Sequence, residues 1–472
     1  MMRSSVPFPT LFLILAPALL AQESQSSFGH ARTREAAALG RLPLPIEVAV
    51  ADIVNYHRHR LPLPRDDRGM MLELRFGNTE AAPGDEVVLQ FGYTTAPGDD
   101  SSDLPPLNLA LVIDRSGSMA EANKLDQVKA ALAAFVGKLR PADRVALITY
   151  DNEPTLAQRS RSVDDARWLR DAIARIETGG GTNLHGGLML GLREVSANAR
   201  SDSSNRVLLL TDGIANRGVT DPERILADAR EFTAEDVDLS TIGVGRNLDI
   251  ALLDRLARGG RGLFHYVADA VDVQKVFVEE HEGLVASVAR RVQLRFQLPR
   301  ELEFVRAVGH HCVRSCYETE RSRSGDGVTI DLPNQNRGAT GVVMVVCRVA
   351  GDCPLDSTVH VPGELSYQGA AGQRSIQVDE TLTLSRRRCE LLRDPEVRKN
   401  HTIAVLAEGM HEMARQAECR RWADADRALR RALEFSREQF ASDDDVDVAR
   451  VRRMALDQDR TLQRYVDRFR DN

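Results

Sequence analysis

Hydrophobic and polar positions alternate with a period of two in two separated parts of the chain. Leu72, Leu74 and Phe76 alternate with more polar neighbours. After a turn at Pro83-Gly84-Asp85, so do Val87, Leu89, Phe91 and Tyr93. That period belongs to half-buried strands, so the stretch predicts a hairpin-like pair. It returns at Val292, Leu294, Phe296 and Leu298, at Ile376 and Val378, and at Leu382 and Leu384. Val342 to Val346 is an apolar run long enough for a buried strand. Both flanks share this character, which predicts one β-sandwich built from both, with another domain inserted between them. Two independent β pieces are the alternative.

Between the flanks the pattern changes. Short apolar runs at Leu109 to Ile113, Val145 to Tyr150, Val207 to Leu210, Val237 to Val244 and Leu263 to Val267 alternate with amphipathic stretches. One such stretch places Leu125, Val128, Leu132, Phe135, Val136 and Leu139 on a single helical face. Strands alternating with helices predict an α/β fold, doubly wound around a mostly parallel sheet. Such sheets bind ligands at the carboxyl ends of their strands, near a topological switch point.

The remaining segments read differently. Residues 22–45 look like a loose polar leader, Ile46 to His59 like one helix before Pro62 and Pro64, and Ala96 to Pro106 like a linker. From Asp394 onward the chain is helical and rich in Arg, Ala and Leu. There Ala423, Ala425, Ala428, Leu429, Ala432 and Leu433 resemble half of a tetratricopeptide unit, a plain helical hairpin being the simpler reading. The expected divisions are 1–21, 22–69, 70–104, 105–282, 283–388 and 389–472.

Met1 to Ala21 reads as a secretory signal. Arg3 starts it, Thr10 to Leu20 is apolar, and Ala18 and Ala21 supply small residues. The run is short for the roughly 30 Å of a bilayer core. The expectation is export to the periplasm or the extracellular space, with no integral membrane segment after cleavage. An oxidising compartment favours disulfides among Cys312, Cys316, Cys347, Cys353, Cys389 and Cys419, with Cys389–Cys419 a candidate pair. A zinc cluster of His310, His311, Cys312 and Cys316 is the alternative for that region.

Charge narrows the partner class. The 69 acidic and 62 basic side chains give a net charge of −7 and are spread along the chain. Aromatics make up only 5%. That charge balance offers no general electrostatic footprint for nucleic acid and the scarcity of aromatics does not point to base stacking, so nucleic acid is not an expected partner.

The candidate chemistry lies at predicted strand ends. The first parallel strand runs into Asp114-Arg115-Ser116-Gly117-Ser118, which puts three oxygen-bearing side chains on one tight turn. Gly179-Gly180-Gly181-Thr182-Asn183 brings the Thr182 hydroxyl toward the same edge, and Leu210-Thr211-Asp212-Gly213 adds a carboxylate. Donors that are all oxygen suit a hard divalent cation such as Mg²⁺. Three neutral hydroxyls and two carboxylates leave a doubly charged ion electrophilic, able to accept an acidic side chain from a partner.

Asp114, Ser116 and Ser118, with Thr182 and Asp212, resemble the metal-ion-dependent adhesion site of von Willebrand factor A domains. The resemblance covers about Leu107 to Glu280, and Asp143-Arg144-Val145-Ala146 opens the second strand as in that family. The flanks resemble a subgroup of exported bacterial proteins, through Ile53-Val54-Asn55-Tyr56-His57 before the domain and the β-rich Val288 to His310 after it. The resemblance implies a doubly wound domain, bound Mg²⁺ (or Mn²⁺) and adhesion-type protein binding. Asp114, Ser116, Ser118 and Thr182 would hold the ion directly or through water, and Asp212 would stand close by through water. An Asp or Glu of the protein partner would complete the shell.

Enzyme readings find less support. No Gly-rich phosphate loop ending in Lys-Ser or Lys-Thr occurs, and Ser116 is not set in a Gly-x-Ser-x-Gly elbow. His185, three residues past Thr182, is the base that a hydrolase would use, although a structural or solvent-facing role is simpler. The expectation is therefore a non-enzymatic exported adhesion or scaffold protein. The alternatives are a structural periplasmic module whose metal only stabilises its loops, and a metal-dependent hydrolase.

Overall fold

The computed structural model describes residues 28–64, 69–97, 105–200, 202–234, 236–245, 247–267, 273–274, 276–277, 287–310, 312–318, 324–369, 372–387 and 391–470. The signal-like segment 1–21, His311, Cys389 and most of the Ala96–Pro106 linker lie outside them. The first flank contributes β1 (Met70–Phe76), β2 (Glu80–Ala81) and β3 (Glu86–Thr95). The central segment forms β4 (Leu107–Asp114), β5 (Arg144–Tyr150), β6 (Pro154–Ser162), β7 (Ser204–Thr211), β8 (Asp238–Val244) and β9 (Arg261–Val267). The second flank adds β10 (Ser287–Leu298), β11 (Leu302–Ala307), β12 (Val313–Glu318), β13 (Ser324–Leu332), β14 (Gln335–Asn336), β15 (Thr340–Val349), β16 (Ser357–Gly369) and β17 (Gly372–Leu384).

The central sheet has the order β6-β5-β4-β7-β8-β9. Every pairing is parallel except β5 with β6. All of β4 is buried, as expected of a strand covered on both faces. Leu109, Leu111 and Ile113 pack under the helices Lys124–Val136 and Arg167–Ala174. Ala110 and Val112 pack under Leu184–Ser196, Pro222–Ala234 and Ile250–Gly259 on the other face. The unpredicted β6 is an edge strand of half-exposed polar residues, so no apolar period marks it.

The flanks meet in one sandwich. Its sheets have the orders β1-β3-β15-β11 and β12-β13-β10-β16-β17-β2. β3 from the first flank pairs with β15 from the second, Thr94 opposite Thr340 through Glu86 opposite Arg348. Phe91 and Phe296 stack between the two sheets, centroids 4.8 Å apart. Val88, Val342, Met344 and Val346 point the other way, into a core shared with the helices Pro395–Glu418, Trp422–Gln439 and Val446–Arg470. A strand buried on both faces needs a continuous apolar run, which is why Val342 to Val346 lacks alternation. Three C-terminal helices thus stand where a hairpin or half-repeat was expected.

A polar network ties the α/β domain to the sandwich at the amino ends of its strands. Asp238 accepts from Arg206 (3.2 Å) and from Asn334 of the sandwich (2.7 Å), and Arg291 donates to Asp236 (2.9 Å). The opposite edge, where the strands end, carries the candidate site.

The N-terminal region departs from expectation. A helix, Phe28–Ala38, stands within the presumed leader. Buried Glu47 holds it through ion pairs to Arg32 and Arg41, and Gln458 donates to Thr33 O at 2.8 Å. Ile46 to His59 is not one helix but a 3-10 turn, Pro45–Glu47, and a short helix, Val50–Val54. Asn55 ends that helix by turning to β15. It donates to Val342 O at 3.2 Å and accepts from Val342 N at 2.7 Å. The cysteines depart as well: Cys312, Cys353 and Cys419 carry free thiols, so no disulfide forms at these three.

Candidate metal centre

β4 and β7 are parallel neighbours, so Asp114 and Thr211 finish at the same edge. Asp114 is fully buried. Its Oδ1 accepts from Ser116 N at 2.8 Å and its Oδ2 from the Thr211 hydroxyl at 2.7 Å. The hydroxyls of Ser116 and Ser118 lie 3.1 Å apart. Ser118 also donates to Oδ1 of Asp212 at 2.7 Å, joining residues 94 positions apart. Lys124 donates to the other Asp212 oxygen, Oδ2, at 2.7 Å.

Thr182 reaches the cluster on the glycine loop. Thr182 N donates to Asn216 Oδ1 at 2.8 Å, and Thr182 O accepts from Asn216 N and Arg217 N. A Cβ placed on Gly213 would lie 3.6 Å from Thr182 Oγ1 and 3.7 Å from Ser118 Oγ, so both hydroxyls border the same backbone position. The loop must pass very close to the end of β5. A Cβ on Gly179 would stand 2.0 Å from Asp151 Oδ2 and one on Gly180 2.3 Å from Asn152 Nδ2, contacts only glycine avoids. Gly179 N donates to Arg115 O (2.6 Å) and Gly117 N to Gly180 O (2.8 Å), closing this loop onto the Asp-x-Ser-x-Ser turn.

All five sequence-predicted residues therefore belong to one cluster. Four supporting residues escaped the sequence reading: Thr211, Lys124, Asp151 and Asn152. Asp151 pairs with Arg115 at 2.8 Å and Asn152 Oδ1 accepts from Gly181 N at 2.9 Å. Their signal was available, because both follow Tyr150 at the carboxyl end of a parallel strand, where ligand-site residues gather. His185 points elsewhere and bonds Asp228 at 2.9 Å, which leaves it serving a helix-to-helix contact.

Burial concentrates negative charge at this edge. Burial pushes Asp114 up to about 6, and the charge of Asp212 adds to the rise, while the bonds from Ser116 and Thr211 oppose it. Tyr150, buried against Asp114, is pushed well above its ordinary range, first by burial and then by that carboxylate. Two neighbouring buried carboxylates with three hydroxyls fit a small hard divalent ion and give no soft sulfur or imidazole donor. Among the described residues, no cluster of three or more His, Cys, Asp or Glu stands as an alternative, and the sequence-level cluster of His310, His311, Cys312 and Cys316 lies partly outside them.

Comparison with known proteins agrees with this geometry. A family model, von Willebrand factor type A domain, matches residues 108–279. The uncharacterised protein YfbK of Escherichia coli (strain K12) is 29% identical over 289 residues, covering 60% of this chain and 50% of that protein. Human inter-alpha-trypsin inhibitor heavy chain H4 is 28% identical over 232 residues, covering 46% of this chain and 25% of that one. The chain thus spans half or less of the length of these relatives. A solved structure, von Willebrand factor type A from Catenulispora acidiphila, shares the fold with a TM-score of 0.58 at 15% identity, covering 80% of this chain and 89% of that one. The sequence match, the sheet order and the cluster at the strand ends identify residues 108–279 of this chain as a von Willebrand factor type A domain.

Proposed function

We propose that the protein is an exported adhesion or scaffold protein whose A-type domain captures a protein partner through Mg²⁺ or Mn²⁺. The observation that carries this reading is the gathering of Asp114, Ser116, Ser118, Thr182 and Asp212 at one strand-end edge. Asp114, Ser116, Ser118 and Thr182 hold the ion directly or through water. Asp212 stands close by and acts through water, its oxygens accepting from Ser118 and Lys124. When bound, the ion supplies a Lewis-acidic position that an Asp or Glu of the partner fills. Ile214 is 48% exposed two residues past Asp212 and gives that partner an apolar contact beside the charged one.

Other observations support the same reading. Domains of this family mediate protein–protein interactions and commonly carry a divalent metal. His185 is engaged by Asp228, so the base a hydrolase would use is turned away from the cluster. The signal-like N-terminus supports export, and no helix among the described residues is long and apolar enough to cross a membrane.

Isothermal titration of the EDTA-stripped protein with Mg²⁺ and Mn²⁺, beside Asp114→Ala, tests the site. Saturable one-site binding that the variant loses, together with EDTA-sensitive partner capture, is the expected result. Equal binding by the folded variant overturns it. The buried bonds of Asp114 to Ser116 and Thr211 favour one other reading, a metal that only props up the loops. In that case the variant unfolds rather than merely losing its partner.

A further inference from the structure

We propose that Lys124 is a tethered cation of the metal centre that weakens retention of the metal alone and makes retention depend on an anionic partner. This rests on the metal-site reading above and assigns the lysine a role in it.

The chain is bent to bring this lysine back. Ala122 (φ 50°) and Asn123 (φ 56°) both take the left-handed conformation between the Asp-x-Ser-x-Ser turn and the helix Lys124–Val136. Non-glycine residues rarely adopt it, and two in succession are held only by their surroundings. Lys124 Nζ reaches Asp212 Oδ2 at 2.7 Å and the carbonyl oxygen of Ser118 at 3.4 Å. Both acceptors belong to residues of the centre. Its remaining acidic neighbour, Glu121, is 3.8 Å away with a side chain 76% exposed, so water screens that pair. The Asp212 side chain is fully buried, and the ammonium acts on it with little screening.

The charge count follows. Asp114 and Asp212 bring two negative charges to a doubly positive ion, but the ammonium cancels one of them. A loaded centre is then left with one net positive charge, and one carboxylate from outside restores neutrality. Sites for hard cations are tuned by ligand charge count, so the lysine lowers affinity for the bare ion and reserves its last position for an anion. A lysine that merely braced the fold would act in the opposite sense, and its loss would loosen the site.

The test uses the full-length, EDTA-stripped protein titrated with Mn²⁺, with and without acetate as the carboxylate probe. Lys124→Met keeps the length and removes the charge. Expected is an affinity for Mn²⁺ alone on the order of tenfold tighter than that of the parent. Acetate tightens Mn²⁺ binding in the parent and does so less in Lys124→Met. A folded Lys124→Met that binds Mn²⁺ equally or more weakly overturns the inference. If that variant does not fold, the parent alone decides, because Mn²⁺ binding indifferent to acetate also overturns it. Asp114→Ala separates the two claims: if it binds as the parent does, the metal-site reading itself fails.

Discussion

The Thr211 hydroxyl donates to Asp114 Oδ2 at 2.7 Å across the β4–β7 pair, fixing one face of the carboxylate from a residue 97 positions away. Thr211→Val keeps the shape and removes the donor, which leaves a fully buried carboxylate oxygen without its partner. The expected loss is about 1–3 kcal/mol of stability, with weaker Mn²⁺ binding, while Thr211→Ser retains both. Urea denaturation and isothermal titration measure the two effects. Thr211→Val indistinguishable from the parent in both would show that the bond contributes nothing.

Ile214 allows partner contact to be separated from metal binding. Its side chain is exposed while Asp212, two residues earlier, is buried. Ile214→Ser is expected to leave Mn²⁺ affinity and melting temperature unchanged and to reduce metal-dependent partner capture severalfold. Capture unchanged in Ile214→Ser places the contact surface elsewhere on the domain.

Stability should fall in mild acid because of buried histidines. Burial, with Arg306 adding to it, pushes His401 down to about 4. Burial is also the main cause that lowers His59 well below its ordinary range, with His57 and Lys399 adding to it and a hydrogen bond with Asn400 opposing. An unfolded histidine titrates near 6.5, so between the two values the unfolded chain binds more protons than the folded one. The contribution is therefore complete above about pH 6.5 and is lost as pH falls toward about 4, at about 1.4 kcal/mol per pH unit for His401. Urea midpoints at pH 7 and pH 5 check this. The pH 5 midpoint should be lower, and His401→Met should shrink the difference. Equal midpoints refute it.

Some features were legible because burial imposes a local pattern. β4 must be apolar on both faces, and its residues alternate between two helical layers, so Leu109 to Ile113 had to be a continuous run. β3 shows period two in its inward set, and that set meets β10 across the sandwich. The clustering of the five oxygen-bearing residues was legible for a related reason. Parallel sheets present the loops at their carboxyl ends together, so motifs placed there converge whatever separates them in the chain.

Other features left no local trace. β6 is polar and half exposed, and only its pairing with β5 makes it a strand. The helix Phe28–Ala38 depends on Glu47 and on Gln458, far along the chain. Ile46 to His59 has a helical composition, yet Asn55 hydrogen-bonds β15 and the helix stops.

The amino-acid sequence by itself determined the strand and helix alternation and the placing of the five oxygen-bearing residues at strand ends, and left open whether the flanks form one sandwich. The first two follow from which faces must be apolar and from where a parallel sheet ends. Only the tertiary structure decided that Thr211 steadies Asp114, that Lys124 returns to Asp212 and that His185 turns away to Asp228. Those contacts join groups brought together by the packing of whole elements, and a hydrogen bond between distant residues imposes no period on the chain that makes it.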